Sequence, residues 1–221
     1  MAKSFYNAFG RWRGSAGSKT FSVLFGNQVI KERQGKRKFT PNEAQAVAQA
    51  RFALLAHMAD AFEPALELGY ARAARGRMFT RNMFTRENYG NVTGTTPDNV
   101  HIDPTKIRIS KGNLPGVVFS SAIGTSTPGT VTVSVTDVNL VGKATDEDNI
   151  YVLVYCPDAL KYGAGILSAP ARRTEGATLS VRYPMSWSGL EVHVYGFVMG
   201  GGKKTKGKAS ESEYVGHAEL G

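Results

Sequence analysis

A single cysteine, Cys156, leaves this 221-residue chain without an intramolecular disulfide and excludes a cysteine-rich secreted scaffold. Long apolar runs are equally scarce. No stretch approaches the roughly 20 apolar residues that span a bilayer. The N-terminus, with Arg11, Arg13 and Lys19 among glycines, also lacks the apolar run of a signal peptide. Cytoplasmic synthesis without a membrane span is therefore expected. Histidine is sparse: the 4 in the chain, His57, His101, His193 and His217, stand at neither metal-ligand nor triad spacing, and one cysteine cannot complete a zinc pattern. Together these shortages lead to the expectation of a non-enzymatic protein, with no catalytic residue, no metal ligand, no cofactor and no small-molecule substrate.

Three stretches imitate chemistry and fall short of it. Gly14-Ser-Ala-Gly-Ser-Lys-Thr20 has the residues of a phosphate-binding loop in the wrong spacing, and Gly200-Gly-Gly-Lys-Lys-Thr205 has the Gly-Lys pair with Phe197 where the first glycine belongs. The second reads instead as a mobile hairpin tip whose Lys203, Lys204, Lys206 and Lys208 can touch a partner. Ala144-Thr-Asp-Glu-Asp-Asn149 lacks the glycine and distal glutamate of a calcium loop and reads as a polar connection. Glu191 and His193 share a strand face by alternation alone, which makes them an exposed pair.

What the chain does have is a lopsided charge. Residues 1–90 carry 15 Lys/Arg against 6 Asp/Glu, whereas residues 91–221 carry 12 against 12, so the formal excess of +9 belongs to the first region. That asymmetry suits a segment facing phosphates, an anionic surface or an acidic subunit. Arg11, Arg13, Lys19, Lys31, Arg33, Lys36, Arg37, Lys38, Lys203, Lys204 and Lys206 are accordingly the candidate contacts to nucleic acid or a protein partner.

Periodicity divides the chain into two expected regions, 1–94 and 95–221. Residues 1–39 show no helical period and read as an arm, with Thr20 to Phe25 and Gln28 to Arg33 flanking a Gly26-Asn27 hairpin turn. Thr40-Pro-Asn-Glu43 then matches a capping box and predicts a helix start. Val47, Ala48, Phe52, Leu55, Met58, Ala59 and Phe62 follow as one apolar stripe. Pro64 should break the helix near Glu63, and a second piece should run to about Arg75 before Gly76. Arg72, Arg75, Arg77, Arg81 and Arg86 add positive charge there.

From about Thr95 the period becomes two. Val131, Val133 and Val135 alternate with hydroxyls, and Ile107/Ile109, Val117 to Phe119, Tyr151 to Cys156, Leu179/Val181/Tyr183, Leu190/Val192/Val194 and Tyr214 to Ala218 give further strands. Cys156 ends an apolar run and reads as a buried small hydrophobe, and Trp187 as a cap on the core. The fold class expected is α+β, mainly β: an arm with a hairpin and a kinked helix, then an antiparallel immunoglobulin-like β-sandwich, with a jelly roll as the alternative.

Gly10, Gly14 and Gly17, the helix entering Arg51-Phe52, Asn91-Val-Thr-Gly94, Ile109-Ser-Lys-Gly-Asn-Leu-Pro-Gly116 and Gly196-Phe-Val198 give the chain a further aspect. In these it resembles an uncharacterised domain-of-unknown-function family of Bacteroidetes proteins. The resemblance covers nearly the whole chain and implies a Gly-rich basic N-terminus, a central helical segment, an immunoglobulin-like C-terminal half and a phage or prophage setting. It carries over no catalytic residue.

Three functions follow as expectations. The first is a self-assembling structural protein, a homo-oligomer or part of a larger assembly such as a phage virion. The second is a sequence-nonspecific nucleic-acid-binding module. The third, a surface adhesion or carbohydrate-binding sandwich, needs Tyr183, Trp187 and Tyr195 to form an exposed aromatic patch.

Overall fold

Short, glycine-punctuated segments form the first strands of the chain. The computed structural model describes residues 3–4, 13–24, 26–33, 40–74, 78–120, 123, 127–142, 144–159 and 163–221. It divides them between two units, Met1–Asn42 and Glu43–Gly221. In the first unit, β1 (Lys3–Ser4), β2 (Gly14–Ala16), β3 (Lys19–Leu24) and β4 (Asn27–Glu32) form an antiparallel sheet of order β1-β4-β3-β2. Among the described residues the expected arm is thus largely sheet, with the expected hairpin as β3 and β4 and two further strands beside it. Its order was hidden because a strand such as Gly-Ser-Ala has no apolar alternation to betray it. Ala16 pairs with Lys19 across a two-residue turn in which Gly17 takes φ +57°, the left-handed conformation such turns favour. Leu24 pairs with Asn27, which moves the second turn one residue earlier than expected; Gly26 lies in it at φ +81°, and Asn27 joins the strand.

The second unit opens with α1 (Glu43–Ala61). It begins three residues after the expected cap at Thr40: Asn42 offers an equally good capping type and leaves Pro41 outside the helix, where its missing donor costs nothing. Phe62 interrupts the helix and α2 (Glu63–Gly69) restarts with Pro64 in its first turn, as the sequence predicts. α3 (Ala71–Ala74) and α4 (Thr80–Asn88) follow. α4 was not anticipated, because only Met83, Phe84 and Asn88 are buried in an otherwise polar segment. A small hairpin of β5 (Val92–Thr93) and β6 (His101–Ile102) leads to the main sheets. Ile107 and Ile109 are buried in irregular chain and not in the expected strand.

The remaining strands are β7 (Val118–Phe119), β8 (Thr130–Asp137), β9 (Asn149–Cys156), β10 (Ala164–Leu167), β11 (Ala171–Arg172), β12 (Thr178–Arg182), β13 (Glu191–Met199) and β14 (Glu213–Glu219). They form two antiparallel sheets of order β12-β8-β7 and β10-β9-β13-β14, with β11 on the end of β9. The chain passes from the first sheet to the second, returns for β12 and ends on the second. That crossing is the Greek key of an immunoglobulin-like sandwich, so the fold is α+β and mainly β, and a jelly roll does not apply.

A third layer completes the unit. Ile150, Val152, Val154 and Cys156 of β9 point into the sandwich with Val131, Val133, Val135, Leu179, Val181 and Trp187. Leu153 and Tyr155 point the other way, into a second core with Leu55, Met58, Phe62, Leu66, Tyr70 and Phe84 of the helical region. The uninterrupted apolar run Ile150 to Cys156 is what a strand buried on both faces requires. Helices and strands therefore share one unit, and the division falls at Asn42 where the sequence reading set its boundary after residue 94. Gly196 on β13 completes the sandwich core: a side chain there would overlap the Phe119 ring, so glycine is needed where β7 leans on the second sheet.

Phe62 joins the helical layer to the sheet, its ring edge-on to Phe84 at 5.6 Å and to Tyr155 at 4.7 Å. Phe62→Ala should cost about 3–5 kcal/mol. In a thermal melt the helical and strand circular-dichroism signals should fall together at the lower temperature; two separate transitions would contradict a shared core.

Candidate interaction surfaces

Charge and unit boundary coincide. Residues 1–42 hold nine Lys/Arg against the single acid Glu32, a net of +8, and residues 43–221 hold the other 18 against 17. Within the first unit, Arg13, Lys19, Lys31 and Arg33 are all exposed. Lys31 faces Thr20 across the β3–β4 ladder, Lys19 faces Glu32, and the Arg33 amide donates to the Ser18 carbonyl at 2.5 Å. The sheet thus carries cations along the end opposite the Gly26 turn. Only Gln28 and Val29 are buried among its described residues, while Phe21, Val23 and Ile30 on one face are half-covered. Arg11, Lys36, Arg37 and Lys38 lie outside the described residues.

Lys203, Lys204 and Lys206 belong to the second unit, on the connection between β13 and β14. The expected mobile tip is instead tied down at its base. Thr205 is buried and donates its hydroxyl to Asp148 at 2.9 Å, and the Gly201 amide donates to the same carboxylate at 3.1 Å. Side chains at Gly200 and Gly201 would overlap the Thr205 and Glu147 carbonyls, so only glycine allows this close approach. Lys208 turns back to donate to the Lys204 carbonyl at 2.7 Å. Lys203, Lys204 and Lys206 are left exposed on this turn, and Leu140 and Val141 of the β8–β9 connection are exposed as well.

Asp148 is one half of a buried pair that organises this end of the sandwich. Its carboxylate also accepts from the Thr145 amide at 2.9 Å and the Thr145 hydroxyl at 3.1 Å. Arg173, with no exposed side-chain surface, lies 3.7 Å from it. The guanidinium donates to the carbonyls of Val138, Pro115, Gly116 and Asn139 at 2.7–2.9 Å. One side chain therefore fastens the entry to β7, the β8–β9 connection and the turn before β12, while its partner fastens the β13–β14 turn. Burial alone would raise the Asp148 carboxyl, but the bonds from Thr145, Thr205 and Gly201 outweigh it and hold the group below its ordinary value. The acidic run Ala144–Asn149 is in this way a structural tie.

Elsewhere the arginines expected to extend the positive charge are partly spent. Arg81 pairs with Asp60 at 2.6 Å and Arg86 with Glu87 at 3.0 Å. Arg75 and Arg77 lie outside the described residues. A hollow between Tyr70, Glu87, Lys111 and Ser212 has the volume of about one water, roughly 20 Å³. Its groups already serve one another: Lys111 bonds Glu87 at 2.7 Å and the Tyr70 hydroxyl donates to the Arg108 carbonyl at 2.8 Å. The aromatic patch that a carbohydrate-binding reading needs does not form, because Tyr183, Trp187 and Tyr195 are all core residues, 5%, 5% and 0% exposed. Cys156 is buried as expected, and burial raises its thiol pKa. No helix among the described residues is long and apolar enough to cross a membrane.

In comparison with known proteins, the chain matches no family model and no curated protein.

Arg173→Met removes the partner of a buried carboxylate and four carbonyl contacts, and should cost about 3–5 kcal/mol in urea denaturation. The depressed Asp148 carboxyl contributes stability that is complete above the unfolded value of 3.8 and is lost as the pH falls below it. Asp148→Asn should therefore be less stable at neutral pH and show a flatter loss on acidification than the natural chain; parallel curves would remove this assignment.

Proposed function

We propose that this chain is a non-enzymatic assembly protein, a self-assembling component of a phage virion or a similar particle, in which residues 1–42 are the contact element. The observation that carries the reading is the confinement of charge: +8 in the first 42 residues against +1 in the remaining 179. Self-repulsion of that density disfavours compactness, so it is kept where a partner of opposite charge relieves it. The sheet itself adds a second reason. Among its described residues only Gln28 and Val29 are buried, and a sheet so thinly covered gains from a surface to lie on. The three-layer unit, by contrast, has two extensive cores of its own and needs no such support. The resemblance to the Bacteroidetes family, with its basic N-terminus, immunoglobulin-like half and phage setting, supports the same reading. Synthesis in the cytoplasm followed by incorporation into a particle is part of the proposal. Native mass measurement and electron microscopy of the full chain should show symmetric oligomers or larger assemblies; a strict monomer at high concentration sinks the idea.

A second reading, nonspecific nucleic-acid binding, is favoured by the exposure of Arg13, Lys19, Lys31 and Arg33 on one small sheet. Neutralisation of about five phosphates by Lys31, Arg33, Lys36, Arg37 and Lys38 would give a logarithmic salt slope near −4 to −5 on duplex DNA. A filter-binding titration measures that slope, and absence of binding even at low salt removes this reading while leaving the first intact.

A further inference from the structure

The exposed end of the five-stranded sheet brings together side chains that lie far apart in sequence. On β13 and β14, Glu191 faces Glu219 and His193 faces His217. Beyond His193 the register changes: Val194 pairs with Gly216 and Tyr195 with Tyr214, so Val215 is one residue too many. Tyr214 and His217 are three residues apart, and strict alternation would turn them to opposite faces. The bulge puts both beside His193, with ring centres 6.1 and 6.3 Å from it, while Val215 packs toward the sandwich core. Bulges of this kind re-aim side chains and gather at functional sites.

Three further facts bear on what the cluster can hold. The Tyr214 hydroxyl lies 3.1 Å from His193 Nδ1 and fixes that ring, leaving Nε2 without a protein partner among the described residues. His217 is exposed, its Nε2 4.0 Å from Glu191 Oε1. Two rows of like groups face each other, imidazole against imidazole and carboxylate against carboxylate, an arrangement that costs stability whenever both members are charged. The helical layer buries Tyr195 and Phe197 further along β13 but leaves Glu191 and His217 open to solvent.

We propose that His193 and His217 form a two-histidine chelate for a divalent transition metal of the zinc class, with Tyr214 positioning His193 and Glu191 and water completing the shell. Metal–nitrogen bonds of about 2.1 Å hold two imidazole centres roughly 5–6 Å apart, close to the spacing already present. Imidazole donors select zinc, copper or nickel over magnesium and calcium. Among the described residues no three donors yet converge on one point. The two rings therefore engage the ion first, and Glu191 joins by rotation of an exposed side chain. A cation at this place also turns the facing like groups into co-ligands.

The test is calorimetric titration of the full, untagged chain with zinc chloride near neutral pH. One equivalent should bind. His217→Ala, which removes an exposed side chain, and His193→Gln should each weaken binding at least about tenfold, while His101→Ala leaves it unchanged. Equal affinity in the natural chain and His217→Ala, or no binding at millimolar zinc, overturns the proposal. Copper(II) added to a sample followed by NMR should broaden the His193, His217 and Tyr214 ring signals first; broadening centred elsewhere overturns it as well.

Discussion

Strand β9 has to be dry on both faces, and most of the second unit can be understood as the means of achieving it. Its inward residues meet the valines of β8 and β12, and its outward residues Leu153 and Tyr155 meet Phe62 and its neighbours. A two-layer sandwich would leave the outward set in water, at a cost of about 1.5–3 kcal/mol for each large side chain. The broken helix α1–α2 is the cover, with Leu55, Met58 and Ala59 of α1, Phe62 at the break and Ala65 and Leu66 of α2 all buried in the shared core.

That constraint was written plainly in Ile150-Tyr-Val-Leu-Val-Tyr-Cys156, and it is instructive that the strand was legible but its implication was not. Period-two strands such as β8 and β12 declare themselves because one face is polar. β9 declares itself only as apolar, and what covers its far side is a long-range fact carried by residues some ninety positions earlier. The helix break at Pro64, the strands β8, β9, β12, β13 and β14 and the buried Trp187 all followed from local chemistry. The hairpin of β3 and β4 was legible to within a residue, whereas β1, β2 and the polar helix α4 were not, because each depends on its partners and not on its own pattern.

The candidate surfaces divide in the same way. Net charge is additive, so the N-terminal excess could be counted from the sequence, and the fold then narrowed it from residues 1–90 to the first unit. The fixing of the Lys203–Lys206 turn could not, since it rests on Asp148 and Thr205, far apart in the chain and joined only by folding. The cluster around His193 is the extreme case. No spacing rule links His193 to His217, and a single surplus residue at Val215 reverses which face the intervening side chains occupy.

The Arg173 guanidinium has one more consequence, for variation over evolutionary time. Two connections, the entry to β7 and the segment after β8, offer carbonyls that accept from the same planar group, which is itself anchored in a third before β12, and its carboxylate partner holds a fourth. Lengthening or shortening any one of them would drag on the other three. Immunoglobulin-like scaffolds diversify readily where their loops are independent. Here the knot makes insertion expensive and leaves exchange of solvent-facing side chains, at Leu140, Val141, Lys203, Lys204 and Lys206, as the open route to altered recognition.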